Sequence, residues 1–361
     1  MYKFEDLIEE VKEFNTDLRY ELDDIVGVTI EKGLIPTIAN LTQTALDKFY
    51  IIKPETFVYN PRTHGVRLGM GYNDTCNTYI TTWNNVAFRV KDTAKNIVIP
   101  QYLWLYFCRP VWDRLTNFLA WGSSTIVFAW KDFLTIEIDL PSITRQREIV
   151  AEYETLTRRI RINEQMIQNL ESTAQTLYRK MFVDGIDKEN LPEGWRMGTL
   201  GEVADFAYGK MPDKSVQGDI PIFSGYGVVG YSNVPMYEKQ HIIVIARGDA
   251  GSGKIVLSPN VFYLTNLAIA VLLKDDRMKY YLYYYLLNSD TSTLRSGSAQ
   301  AQVTINSLHL YDIIIPSNNS YNEFSNLISP INEQKQILSD EDMKLTELQS
   351  LLLARMGQNK Q

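Results

Sequence analysis

The chain has 361 residues, 45% apolar and 12% aromatic, enough to fill real cores, which excludes a largely disordered polypeptide and makes two domains the default. Its only cysteines, Cys76 and Cys108, lie far apart, so there is neither a disulfide framework nor a cysteine metal cluster. The net charge is −7, but residues 1–24 alone carry 3 basic and 9 acidic groups, so the remainder is close to neutral and leaves a polyanionic partner open.

The acidic, amphipathic start does not read as a signal peptide, and no apolar run reaches the ~18–20 residues of a membrane span. A cytoplasmic protein without membrane association is expected. Leu22-Asp23-Asp24-Ile25 opens the first globular part. Tyr59 to Asn73 then reads as a loop carrying Arg62, His64, Arg67, Tyr72 and Asn73, with no acidic residue until Asp74. Val86–Val90 and Ile136–Leu140 are short β-rich runs, and residues 100–118 have helical length. Gly122-Ser123-Ser124 precedes Ile136 to Leu140 and Pro141-Ser142.

A long helix follows. Ile149, Tyr153, Leu156, Ile160, Asn163, Ile167, Leu170, Ala174, Leu177 and Met181 recur in a heptad seam broken only by Asn163. Residues 184–194 are polar and turn-rich, a linker.

The second part repeats the first. Gly297-Ser298-Ala299 and Ile313-Ile314-Ile315-Pro316-Ser317 follow their counterparts by 175 residues, and Tyr281–Tyr285 echoes Tyr102–Tyr106 at a slightly larger offset. Leu200-Gly201-Glu202-Val203 matches Leu22 to Ile25. The same 175-residue shift yields a second seam, with Ile331, Leu338, Leu345 and Leu352 on its aliphatic line and Lys335, Asp342 and Gln349 on the other. A helix of about 36 residues is ~54 Å long. Two such helices can bury their seams against each other in antiparallel fashion, or each can cover its own globular part.

Catalytic signatures are sparse. Gly248 to Lys254 has the glycine and lysine spacing of a phosphate-binding loop, but Ile255 stands where Ser or Thr is needed, and a strand-like run follows. It reads as a glycine-rich turn between strands. His64, His241 and His309 show no ligand spacing, and neither a methyltransferase tetrad nor a nuclease signature occurs.

Residues able to contact DNA collect in loops instead. In the second part these are Lys210, Tyr226, Tyr231, Asn233, Arg247 and Lys254, then Arg295, Ser298, Gln300 and Gln302. Arg can pair bidentately with guanine, Asn or Gln with adenine, and Lys or Ser with phosphate.

Leu191-Pro192-Glu193-Gly194-Trp195 with Leu200 to Val203 resembles the opening of a target-recognition domain in the specificity subunit of type I restriction-modification systems. Gly297 to Gln300 with Ile305, Leu308 and Ile313–Pro316 resembles its closing motif, and Ile138 to Ser142 leading into Gln146–Val150 resembles the join to the first conserved helix. The first domain departs from the pattern, lacking the Leu-Pro-Glu-Gly-Trp opening and having Ser124-Thr125 where the second has Ala299-Gln300.

The resemblance implies a mixed α/β chain. Two target-recognition domains (1–143 and 195–319) are separated by two long antiparallel coiled-coil-like helices (144–183 and 320–357), pseudo-twofold, with the linker at 184–194. Each domain would read half of a bipartite site in double-stranded DNA. The helices would set the spacer and dock two methyltransferase subunits through Ile160, Ile167, Leu170, Leu177, Ile331, Leu338, Leu345 and Leu352. The chain itself would be non-catalytic and hold no cofactor or metal. S-adenosylmethionine, ATP and Mg would belong to the methyltransferase and the motor-nuclease restriction subunits. The rival readings are a fused methyltransferase or nuclease, and an assembly scaffold that does not bind DNA.

Overall fold

In a computed structural model of the chain, the described residues are 1–37, 44–63, 67–121, 126–211, 218–248, 251–296 and 302–356. They form two compact units, residues 1–162 with 341–361 and residues 163–340.

In the first unit, strand Tyr2–Lys3 leads into a single helical turn, α1 (Phe4–Leu7), whose Phe4 and Leu7 are buried. A four-stranded antiparallel sheet has the order Ile8–Glu10, Val86–Val90, Phe57–Tyr59, Met70–Tyr72. The helical stretch expected at 100–118 is two helices, α2 (Pro100–Phe107) and α3 (Pro110–Leu119). Pro110 donates no amide and disfavours helical backbone at Arg109, so it ends one helix and, at the first position of the next, starts another. Next come α4 (Trp130–Thr135) and strand Glu137–Ile138, which pairs back onto Tyr2–Lys3. The core is aromatic: Phe133 lies 5.0 Å from Phe4 and 5.2 Å from Phe88 between ring centroids. Truncating such a buried ring to Ala costs about 3–5 kcal/mol. Helix α5 then runs Ile143–Phe182.

The second unit has the same frame. Strand Arg196–Thr199 leads into α6 (Leu200–Val203), closed by a capping box between Thr199 and Glu202. Its sheet order is Ala204–Tyr208, Ala268–Leu273, Ile242–Ile245, Ile255–Leu257, again wholly antiparallel. Helices α7 (Lys279–Leu287) and α8 (Ile305–His309) follow, and strand Asp312–Ile315 pairs back onto Arg196–Thr199. Helix α9 (Asn318–Arg355) ends the described chain.

The pairing registers give the equivalences between the units. Glu137 and Ile138 face Lys3 and Tyr2 as Asp312 and Ile313 face Thr199 and Gly198, which keeps the 175-residue offset at the closing end. At the opening end the shift is 196: α6 corresponds to α1, not to Leu22–Ile25. Leu22–Asp24 is a short 3-10 turn between the first sheet strand and a separate hairpin, Val26–Thr29 with Gly33–Pro36, so the sequence match drawn there was misplaced.

Within each unit α5 and α9 run antiparallel. In the first, Thr157 accepts from Gln349 at 2.7 Å and Arg159 pairs with Glu341 at 2.9 Å. In the second, Lys335 pairs with Glu171, and the ring of Phe182 lies 5.2 Å from that of Phe324. Ala174 and Leu338 on the seam are buried, and so is Asn163, the polar break.

Candidate nucleic-acid interface

In the second unit the site is built on the turn between strands Ile242–Ile245 and Ile255–Leu257. Its glycines allow two things a side chain would block. Gly248 and Gly253 take φ of +119° and +88°, and a Cβ at Gly251 would lie 2.4 Å from the Tyr226 ring. The Tyr226 hydroxyl donates to the Arg247 carbonyl at 3.2 Å, while Ser252, buried beneath, donates to the Ala246 carbonyl. A Cβ at Gly253 would stand 3.4 Å from the Arg295 Nε. The turn thus gathers Tyr226, Arg247, Lys254 and Arg295, all exposed. It is a turn within an antiparallel pair, as its sequence predicts, with no helix after it to hold a phosphate.

The hairpin of Arg295–Ser296 and Gln302–Val303 is hung on this turn, the Val303 amide donating to the Ala246 carbonyl at 3.0 Å. Gln302 is half-buried there. Tyr231 and Asn233 stand exposed on or beside a separate three-stranded sheet, Val228–Ser232, Ile220–Phe223 and Tyr263–Leu264. Lys210, also exposed, is fastened to that sheet by its backbone amide, which donates to the Leu264 carbonyl.

The first unit builds the corresponding place from other residues. The Phe128 amide donates to the Pro61 carbonyl at 2.8 Å, as Val303 does to Ala246. The flanking strand registers agree, Phe57 facing Tyr72 as Ile242 faces Leu257. Arg62 is therefore the counterpart of Arg247, 185 residues on, and the turns from 60 to 69 and 245 to 254 have equal length. Arg62 and Arg67 are exposed.

Tyr72 and Asn73 do not belong to this surface. Tyr72 is 6% exposed, stacked between Phe57 and Trp104, and burial raises the pKa of its hydroxyl. Asn73 is fully buried: its amide donates to the Ile52 and Asn77 carbonyls and its oxygen accepts from the Thr75 amide and hydroxyl. Loop-like composition hid a strand end closed by an Asx turn. His64, Ser298 and Gln300 lie outside the described residues.

The remaining histidines are packed rather than displayed. His241 is buried with Nδ1 3.3 Å from the Val271 carbonyl, and desolvation lowers its pKa. His309 meets the Phe206 ring edge-on. Burial likewise pushes the Cys108 thiol up to about 12.

The seam residues expected to dock partners are partly covered within their own units. Ile160, Ile167, Leu170, Leu177, Ile331, Leu345 and Leu352 are half-buried and Leu338 is 2% exposed, Leu177 and Ile331 packing onto their own unit's core. The exposed apolar side chains on α5 and α9 are others, among them Met166, Ile337, Met343, Leu348 and Leu351. In the first unit Leu348 and Leu351, with Leu156 and Leu352, line a groove of about 710 Å³ between the two helices. No helix among the described residues is long and apolar enough to cross a membrane.

Residues 192–339 match the family model described as Type I restriction modification DNA specificity domain. The resemblance drawn from the opening and closing motifs is thereby borne out. The chain shares the fold of the crystal structure of a Type-I restriction-modification system S subunit from M. genitalium, at 16% identity and a TM-score of 0.64 over 98% of this chain and 95% of that one. It is also similar to the HsdS subunit from Thermoanaerobacter tengcongensis (18% identity, 100% and 96% covered, TM-score 0.37). A third similar structure comes from work on complex assembly and conformational transition of the type I R-M system (19%, 98% and 96%, 0.46). No curated protein matches this sequence.

Proposed function

We propose that this chain is the DNA-recognition subunit of a type I restriction-modification complex, in which each unit reads one half of a bipartite site through the turn that carries Arg62 or Arg247. The observation that carries this reading is the equivalence of those two turns. Two sheets of the same order and register each present an arginine at the same place, beside the hairpin that closes the domain. A repeated frame with different residues on its loops is what reading two different half-sites requires.

Arg62 and Arg247 hydrogen-bond base edges, Lys254 and Arg295 hold phosphate, and α5 and α9 set the distance between the half-sites. Two methyltransferase subunits dock on the exposed apolar side chains of the helices, Leu348 and Leu351 included. S-adenosylmethionine, ATP and Mg are handled by the methyltransferase and restriction subunits, and this chain contributes specificity without catalysis, in the cytoplasm.

The test is DNA binding by the chain assembled with its methyltransferase subunits, measured over rising salt. Sequence-dependent binding that weakens with salt, as phosphate contacts displace counterions, is expected. Assembly without salt-sensitive DNA binding contradicts the reading, as does methylation or cleavage by the chain alone.

A further inference from the structure

Helix α3 presents a face its own unit does not use. Val111, Arg114 and Phe118 recur at i, i+3 and i+7, so they share one side of the helix, whereas Trp112, Asp113 and Thr116 are buried on the other. Phe118 is 84% exposed and Trp121, just past the helix end, 67%. Two large aromatic rings left in water three residues apart mark a contact surface.

The backbone ties this face to the turn of Arg62. Trp121 is bridged to Val127, and Val127 pairs with Arg62, both antiparallel. Residues directly opposite on antiparallel strands point to the same side, so Arg62 and Trp121 share a face. The Lys131 ammonium lies 5.9 Å from the centre of the Trp121 ring. The Thr63 hydroxyl, 3.2 Å from the Asn117 side-chain oxygen, fastens the same strand to α3 one residue before Phe118.

Charge selects the partner. On α3, α4 and the strand pair Arg62–Thr63 with Ile126–Val127, every exposed charged side chain is a cation: Arg62, Arg114 and Lys131. Asp113 is buried in its pair with Lys32, and Asp132 is half-buried. In a chain of net charge −7 this fits a polyanion. The repeat agrees: Trp121 opposite Val127 holds the place of Ser296 opposite Gln302, the hairpin that carries Arg295 in the second unit.

We propose that Phe118 and Trp121 form an apolar wedge that stacks on bases of the half-site read by the first unit, with Arg114 and Lys131 on the flanking phosphates. This rests on the reading of the chain as a DNA-recognition subunit. Such side chains, pressed into a groove, hold a partly unstacked base step, and the contact is apolar rather than ionic.

The experiment uses the complex with methyltransferase subunits and measures the Kd for a duplex bearing the recognised site across a salt series. Trp121→Ala with Phe118→Ala is expected to weaken binding about 10- to 100-fold, with the slope of log affinity against log salt unchanged. Arg114→Ala is expected to lower that slope by about 1. Trp121→Phe, which keeps a ring, should stay within a few-fold of the parent. If the parent complex itself shows no sequence-dependent binding, the DNA-recognition reading fails and the wedge with it. If the parent binds and the double Ala variant binds as tightly, the wedge alone is overturned. Failure of the double variant to assemble with methyltransferase subunits, its thermal unfolding unchanged, makes the face a protein contact and also overturns the wedge.

Discussion

Arg62 and Arg247 occupy one and the same position in the two units, each immediately after the carbonyl that accepts the backbone amide of the closing hairpin. Arg62→Ala is therefore expected to relax specificity in one half of the recognised site, and Arg247→Ala in the other half only. Each loss should be about 1–3 kcal/mol of discrimination, the worth of a bidentate arginine on guanine. Competition binding with duplexes randomised in one half at a time separates the two. Relaxation of both halves by either change contradicts the equivalence.

Lys32 and Asp113 form an ion pair with side chains only 8% and 12% exposed. The ammonium also donates to the Leu68 carbonyl while Asp113 accepts from the Leu68 amide, so the pair clamps the strand-side end of the Arg62 turn. Removing one partner strands a buried charge, which costs about 3–5 kcal/mol. Lys32→Met should show this loss in urea unfolding of the first unit, and adding Asp113→Leu should restore most of it.

Gly251 packs against the Tyr226 ring so closely that Gly251→Ala must displace the ring and the turn with it. Binding to the half-site of the second unit is expected to fall, with the other half unaffected. Tyr226→Ala in the same chain removes the clash, so once Tyr226 is Ala, adding Gly251→Ala should cost little further in thermal unfolding.

Hydrogen bonds from Arg277, and from the Tyr321 hydroxyl at the start of α9, hold the Asp275 carboxyl down to about 2 from an ordinary 3.8. A pKa lower in the folded state stabilises above the unfolded value and is lost as pH falls through the folded one. The second unit should thus lose stability between pH about 4 and about 2. Asp275→Asn should be less stable at neutral pH and flatter over that window, read by thermal unfolding.

Periodicity made much of this legible. The seams are readable because a long helix must repeat its apolar positions, and Val86–Val90 is a strand with the bounds its short apolar run implies. The closing end of each domain keeps a constant offset because the same number of residues separates the closing hairpin from the last strand, Phe128 to Ile138 as Val303 to Ile313. The opening end was misread because Phe4-Glu-Asp-Leu7 and Leu200-Gly-Glu-Val203 share little beyond apolar ends, and the inserted hairpin shifts the offset to 196. The Arg62 and Arg247 turns share almost no other residue, so only the register of the strands beneath them reveals the match. Composition gives no sign of which way a ring faces: Tyr72 turns inward, while Phe118 and Trp121, ordinary core residues by type, turn out.

Exchange of the second domain tests the central claim most directly. Residues of about 190–317 are replaced with the corresponding segment of a specificity subunit that recognises a different site, and methylated positions are sequenced in a host carrying the methyltransferase subunits. One half of the methylated site should change, with the other half and the spacer retained. A change in both halves, or an unchanged site, would contradict one unit reading one half-site.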